Sequence, residues 1–346
     1  MNKYNERSNH DQRVNSKNIQ MGFTITIPLV LMMIFLFSGN EFQELGDSPE
    51  ALAQIEAFDR ANSHPKPAPA HLRKLLQAGR FTDVESILRE LHRNSRDDIS
   101  WEQAFTLVFD DFSPNNKYRP EILDKWVKST HSGYSYMARG SYYYNAASLA
   151  RGGAFLRNTS KSQIKAMNKL NKKAYKDLLK AHSIDKSLLP VYSYLIGLSG
   201  SGSIVGIPID TYLNEGISVN PGGYYYRYQY IRVMMPKWGG SWRKMQNFVD
   251  ETTPYMNKNP RLWLLQGFIP AEKAYLAVQN KSYGKCVKLF SEALQYGKHS
   301  GWLLERAFCL SRNREYEKAL KDVKMSLDIK DNVEAKQLKR YLERKV

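Results

Sequence analysis

The chain has 346 residues, 42% of them hydrophobic, with 51 Lys and Arg against 34 Asp and Glu. That length buries a sizeable core in one large domain or two, and two cysteines exclude a disulfide-framework miniprotein. The net charge of +17 calls for something anionic nearby, whether nucleic acid, phospholipid headgroups or an acidic partner.

Residues 1–20 carry Lys3, Arg7, Arg13 and Lys17 against Glu6 and Asp11. The stretch MGFTITIPLVLMMIFLFSG, 21–39, is uncharged and long enough to cross a bilayer core as a helix. After it come Glu41, Glu44, Asp47, Glu50, Glu56 and Asp59 before the first basic residue, Arg60. This asymmetry predicts one N-terminal transmembrane helix, a signal-anchor, with residues 1–20 as a cytoplasmic tail and everything beyond Gly39 outside. The alternative is a cleaved signal peptide and a secreted domain, which the bulky Phe37 ahead of the cut disfavours. Either topology removes nucleic acid as a partner. Residues 40–71 read as a tether, acidic and then proline-rich at SHPKPAPA.

From residue 72 the apolar periodicity is helical throughout, which predicts an all-α body. Leu72, Leu75 and Leu76 mark one helix and Val84, Ile87, Leu88 and Leu91 the next, with a break at Gly79. The tyrosine clusters at 134–144 and 222–230 read as packing between helices, with hydroxyls reaching the surface. An aromatic groove for a peptide or glycan is the alternative. Ser160 and Gln163 form a capping box ahead of a helix whose stripe is Ile164, Met167, Leu170, Ala174, Leu178 and Ala181. Opposite that stripe run Lys161, Lys165, Lys169, Lys172, Lys176 and Lys180, with Asp177 as the acidic exception. The row reads as a solvated face, or else as a surface attracted to anionic lipid or an envelope polymer.

Sites for chemistry are sparse. SIDK at 183–186 and SWRK at 241–244 both fit Ser-x-x-Lys, but no Lys-Thr-Gly strand accompanies them. GLSGSGSIVG at 197–206 has no lysine for a phosphate loop and reads as a flexible joint between helix pairs. His64, His71, His92, His131, His182 and His299 stand singly, so neither metal nor cofactor is predicted. With no complete catalytic set, the chain does not read as an enzyme. Cys286 and Cys309 read as buried, unpaired thiols on helix faces.

The stretch MMPKWGGSWRKM, 234–245, is expected to be a corner. Pro236 stops one helix, Gly239 and Gly240 permit positive φ, and Ser241 caps a helix starting at Trp242. Met245, Phe248 and Val249 give that helix its buried face. Trp238 is expected to plug the gap between the two helices, and Lys237 to be dispensable for stability. The alternative is an anion site made of free N–H groups beside Lys237, Arg243 and Lys244.

The C-terminal part repeats itself. NKSYGKCVKLFSEAL from Asn280 matches NREYEKALKDVKMSL from Asn313, pairing Tyr283 with Tyr316, Cys286 with Ala319, Phe290 with Val323 and Leu294 with Leu327. Ala274 and Ala307 stand in the same register on the helices before. This pattern resembles the tetratricopeptide repeat (TPR), whose period is about thirty-four. YYYNAASLARGG (142–153) and MMPKWGGS (234–241) resemble a bacterial domain-of-unknown-function family. Its members pair an Ala-Arg-Gly helix end with a Pro-Lys/Arg-Trp-Gly-Gly-Ser turn, here Pro236, Lys237, Trp238, Gly239, Gly240 and Ser241, on a TPR-like scaffold. The resemblance covers 72–262 and leaves 263–346 as two plainer TPR-like repeats.

The expectation is therefore an all-α, TPR-like helical-hairpin solenoid on the bacterial inner membrane, N-terminus cytoplasmic and C-terminal domain periplasmic, binding a protein or peptide partner. By the TPR resemblance, Glu272, Tyr275, Gln279, Glu305, Phe308 and Arg312 line the groove. The Lys and Asn pattern that clamps a C-terminal carboxylate is not kept, so an internal peptide segment is the expected ligand. The alternatives are an envelope-polymer enzyme using the loop near Ser241 or the 197–206 loop, and an immunity or regulatory factor sequestering one dedicated protein.

Overall fold

The computed structural model describes residues 64–152, 159–330 and 332–346. The expected tail, anchor and acidic part of the tether lie outside the described residues. Every regular element described is helical, and no described helix is long and apolar enough to cross a membrane.

The first hairpin pairs α1 (Pro69–Gln77) with α2 (Phe81–Asp97). Pro69, pre-set for a first helical turn, opens α1 inside the stretch expected to be tether. Then follow α3 (Glu102–Asp110), α4 (Pro120–Thr130), α5 (Gly133–Arg151) and α6 (Lys161–Ile184). As expected, α5 ends at the Ala-Arg-Gly element, with Gly152 at φ +74°, and α6 starts at the Ser160–Gln163 capping box. The middle holds α7 (Leu189–Ser199), α8 (Ile209–Val219), α9 (Tyr225–Val233) and α10 (Trp242–Thr252). The last helices are α11 (Leu264–Gln279), α12 (Tyr283–Leu294), α13 (Ser300–Arg312), α14 (Tyr316–Ile329) and α15 (Val333–Leu342).

Packing follows the order of the chain. Each even-numbered helix touches the odd-numbered one after it, from α2 on α3 through α14 on α15. Odd-numbered helices also touch each other: α3 meets α5, α5 meets α7, α7 meets α9, α9 meets α11, and α13 meets α15. Gly267 of α11 permits a close approach to α13, because a Cβ on it would sit 2.5 Å from the Trp302 ring. Two hairpins are pinned by the same device. Arg139 of α5 grips Asp177 of α6 through two bonds of 2.7 and 2.8 Å, and Arg306 of α13 grips Asp322 of α14 at the same distances.

The repeat visible in the last hairpins occurs a third time at the start. Gly79, Lys281 and Arg314 all take left-handed φ, at 71°, 56° and 65°. In each turn the next N–H reaches back to a carbonyl five residues earlier at 2.9 Å: Arg80 to Leu75, Ser282 to Ala277, Glu315 to Leu310. The side chains in register are Leu72, Ala274 and Ala307; Val84, Cys286 and Ala319; and Leu88, Phe290 and Val323. All nine have 0% exposure.

One expectation is corrected. Cys286 and Cys309 form a disulfide rather than standing as free thiols. Their helices, α12 and α13, pack face to face, which brings the Cα atoms to 6.3 Å, inside the range a disulfide spans.

Candidate functional site

The corner at 234–245 forms as a turn built on its own backbone. Pro236–Trp238 make one 3-10 turn, Gly239 stands at φ +87°, and Ser241 Oγ accepts from Lys244 N at 3.2 Å. Gly240 is required by contact: a Cβ on it would meet Met234 O at 1.8 Å. The N–H groups of Trp238, Gly239 and Gly240 donate to Met235 O and Pro236 O at 2.9–3.2 Å. None of these three is left for an anion, and the turn's own backbone bonds account for its geometry.

Two residues of that corner have other roles than expected. Trp238 is not a plug: its side chain is 50% exposed. Lys237 is the anchored one, donating to Glu272 Oε2 at 2.7 Å and lying 5.4 Å from the centre of the Tyr275 ring. The reason is the neighbour. Glu272 is 4% exposed on α11, and a buried carboxylate demands a partner.

The predicted groove residues therefore divide. Glu272 is spent inside the fold. Tyr275 is half-buried, edge-on to Phe290 at 5.2 Å, and burial pushes its hydroxyl pKa up. Glu305 is half-buried as well, its pKa raised by burial and then by Glu334. Gln279, Phe308 and Arg312 remain exposed. Phe308 packs edge-on to Tyr283 at 6.2 Å, and the Arg312 guanidinium lies 5.4 Å from the same ring. Tyr283 thus gathers Phe308 and Arg312 into one patch. Sequence reasoning used that tyrosine to align the two repeats, with Tyr316, and did not add it to the site.

A groove that the sequence did not announce lies alongside. It has about 350 Å³ of space and is walled by Trp242, Lys273, Leu276, Asn280, Lys285 and Leu289. Lys273 Nζ sits 5.8 Å from the Trp242 ring centre, and Leu276 is 45% exposed. An aromatic, two aliphatics and two lysines suit an extended segment carrying apolar and acidic side chains.

An aromatic seam continues from this region along the odd-numbered helices. Tyr228 of α9 meets Phe268 of α11 at 5.4 Å, and Phe268 meets Trp302 of α13 at 5.1 Å. Tyr144 of α5 meets Tyr194 of α7 at 5.1 Å, and the Tyr194 hydroxyl donates to Asp110 of α3. The tyrosine clusters split as the helical period demands. Tyr142, Tyr143, Tyr224 and Tyr226 are buried, while Tyr136, Tyr144, Tyr228 and Tyr230 are half-buried.

A buried polar centre around Glu102 and Arg227 was not foreseen. Glu102, 2% exposed, accepts from Tyr224 N at 2.8 Å and Tyr225 N at 3.1 Å, capping α9 from 122 residues away. Burial raises its carboxyl to about 7. Arg227, 1% exposed, lies 4.9 Å from the centres of both the Tyr226 and Tyr255 rings. This centre ties α3 to α9, and it is closed to ligands by its own burial.

The remaining candidates occupy ordinary positions. Ser203 of the 197–206 loop bonds Asn168 and Asn171 of α6 at 2.7 and 2.9 Å. His92 bonds Ser187 O, His182 bonds Glu215 and His64 stacks on Trp101, so each of these three has its own partner. Among the described residues no three His, Cys, Asp or Glu side chains converge as a metal site. Lys161, Lys165, Lys169, Lys172, Lys176 and Lys180 are all exposed, as expected, whereas Asp177 is 5% exposed and belongs to Arg139. No protein-family model matches the chain, and no curated protein matches it either.

Proposed function

We propose that this protein is a membrane-anchored, periplasm-facing helical-repeat scaffold that binds a protein or peptide partner and performs no catalysis. The carrying observation is the hairpin turn that recurs at Gly79, Lys281 and Arg314 with the same hydrogen bonds and the same buried register. The recurring turn, together with the contacts between successive odd-numbered helices from α3 to α11, supports a TPR-like solenoid, an architecture that presents an extended face to a ligand. Phe308 and Arg312 around Tyr283, together with exposed Gln279 and the Trp242–Leu276 groove, are the surface we assign to an internal peptide segment. Residues 21–39 supply the inner-membrane anchor. The Cys286–Cys309 disulfide supports an oxidising compartment for the body of the chain.

The enzymatic alternative at Ser241 gains no support, because that hydroxyl is engaged as a helix cap. A photo-crosslinking residue at Gln279, in the full chain in its own membranes, should give one discrete adduct. Phe308→Ala should abolish it and Ser241→Ala should leave it unchanged. An adduct indifferent to Phe308, or a folded Ser241→Ala protein without cellular activity, would overturn this reading. A phosphatase fused after Val346 should be active only outside the cytoplasm.

A further inference from the structure

The outer face of α6 carries a charge that the fold does not use. Its row of Lys161, Lys165, Lys169, Lys172, Lys176 and Lys180 makes no ion pair within the described residues. The one acidic residue of the helix, Asp177, is turned inward and held by Arg139.

We propose that this face of α6 is an electrostatic docking surface for a bilayer containing anionic phospholipid. The row lies on one helix, so it is straight and spans about 28 Å. A straight edge of like charges can lie along a plane over its whole length, whereas a globular acidic partner would meet only part of it. Each lysine within reach of an anionic surface strengthens attachment about fivefold, and salt removes the effect because its range is a Debye length. The proposal rests on the anchored reading above, since the anchor would hold α6 close to such a surface.

The test uses the full chain reconstituted in vesicles. Both native cysteines are in the disulfide. A cysteine at exposed Ala166, beside Lys165, is therefore the one site for a donor fluorophore. Acceptor-labelled lipid is placed in vesicles of phosphatidylcholine alone or with phosphatidylglycerol. Energy transfer should rise with phosphatidylglycerol and fall as salt rises. In Lys165→Gln/Lys169→Gln/Lys172→Gln the docking equilibrium should weaken on the order of a hundredfold, while the arginine triple variant keeps it. Melting curves show whether each variant folds.

Equal transfer in both lipids, or no change in a folded glutamine variant, makes the row a solvated face and ends the proposal. A salt-sensitive, lysine-dependent signal in phosphatidylcholine alone assigns the row to the chain's own acidic stretch, 41–59, and ends it too. Retention of the chain after an alkaline wash reports the anchor separately. Loss of the anchor and loss of lysine docking are therefore distinguishable.

Discussion

The Lys237 ammonium sits 2.7 Å from a Glu272 carboxylate that is 4% exposed, while its own side chain is 47% exposed. Removing the lysine strands a buried charge. Lys237→Ala should therefore cost about 2 kcal/mol in thermal unfolding. Trp238→Ala, which removes a half-exposed ring, should stay within about 0.5 kcal/mol. The opposite ranking would mean that the indole is the buried group. His299 gives a second expectation. Its Nδ1 accepts from Trp302 N at 3.4 Å to cap α13, so the cap needs the neutral ring. Burial, then the charges of Lys330 and Arg232, lower its pKa from 6.5 to about 4. A base held neutral by folding lends stability in full above pH 6.5. That stability drains away as the pH falls from there through about 4, by at most about 3 kcal/mol. Denaturant melts of His299→Asn, which keeps a cap acceptor without titrating, should show a flatter acid limb than the parent.

Hairpin turns are the elements that most directly encode the chain's pairing. Lys281 and Arg314 hold left-handed φ where Gly79 does so freely, and a side chain there costs about 1 kcal/mol. Lys281→Gly and Arg314→Gly should each raise stability by about 0.5 kcal/mol once the looser unfolded chain is counted. Gly79→Ala should lower it by about 1 kcal/mol in the same denaturant series. Elements with a local cause were legible in the sequence: the Gly79 break, the Ser160 cap, the Gly152 stop and the Asn280–Asn313 repeat. A helical period reports which face of a helix is buried, but not what it is buried against. Glu102 capping α9, Lys237 reaching α11 and the disulfide all needed that second piece of information. The hairpin at Gly79 escaped notice as a repeat because 202 residues separate it from its nearest equivalent turn, at Lys281. Its sequence signal was Gly-Arg-Phe standing where Lys281-Ser282-Tyr283 and Arg314-Glu315-Tyr316 stand later.

At the scale of the whole molecule, two cores meet on α13. The larger runs from Leu72 to Cys309, and the smaller consists of Ala307, Leu310, Ala319, Val323, Ala335 and Leu342. Those six side chains remove little apolar surface from water, so α14 and α15 hold to the rest by a modest hydrophobic term. The disulfide lies on the larger core's side of that junction and fixes α13, the helix both cores share, to α12 across 23 residues, which in the chain-entropy view contributes about 3 kcal/mol. Stability is therefore expected to be graded along the chain, lowest at the C-terminal end. Hydrogen exchange followed by mass spectrometry should find the amides of α14 and α15 opening before those of α5 and α6. Reduction, or the Cys286→Ser/Cys309→Ser pair, should speed exchange in α13–α15 by up to about a hundredfold and leave α1–α7 unchanged. Equal acceleration in α1–α7 would mean that the described residues unfold as one cooperative unit, with the small core inseparable from the large one.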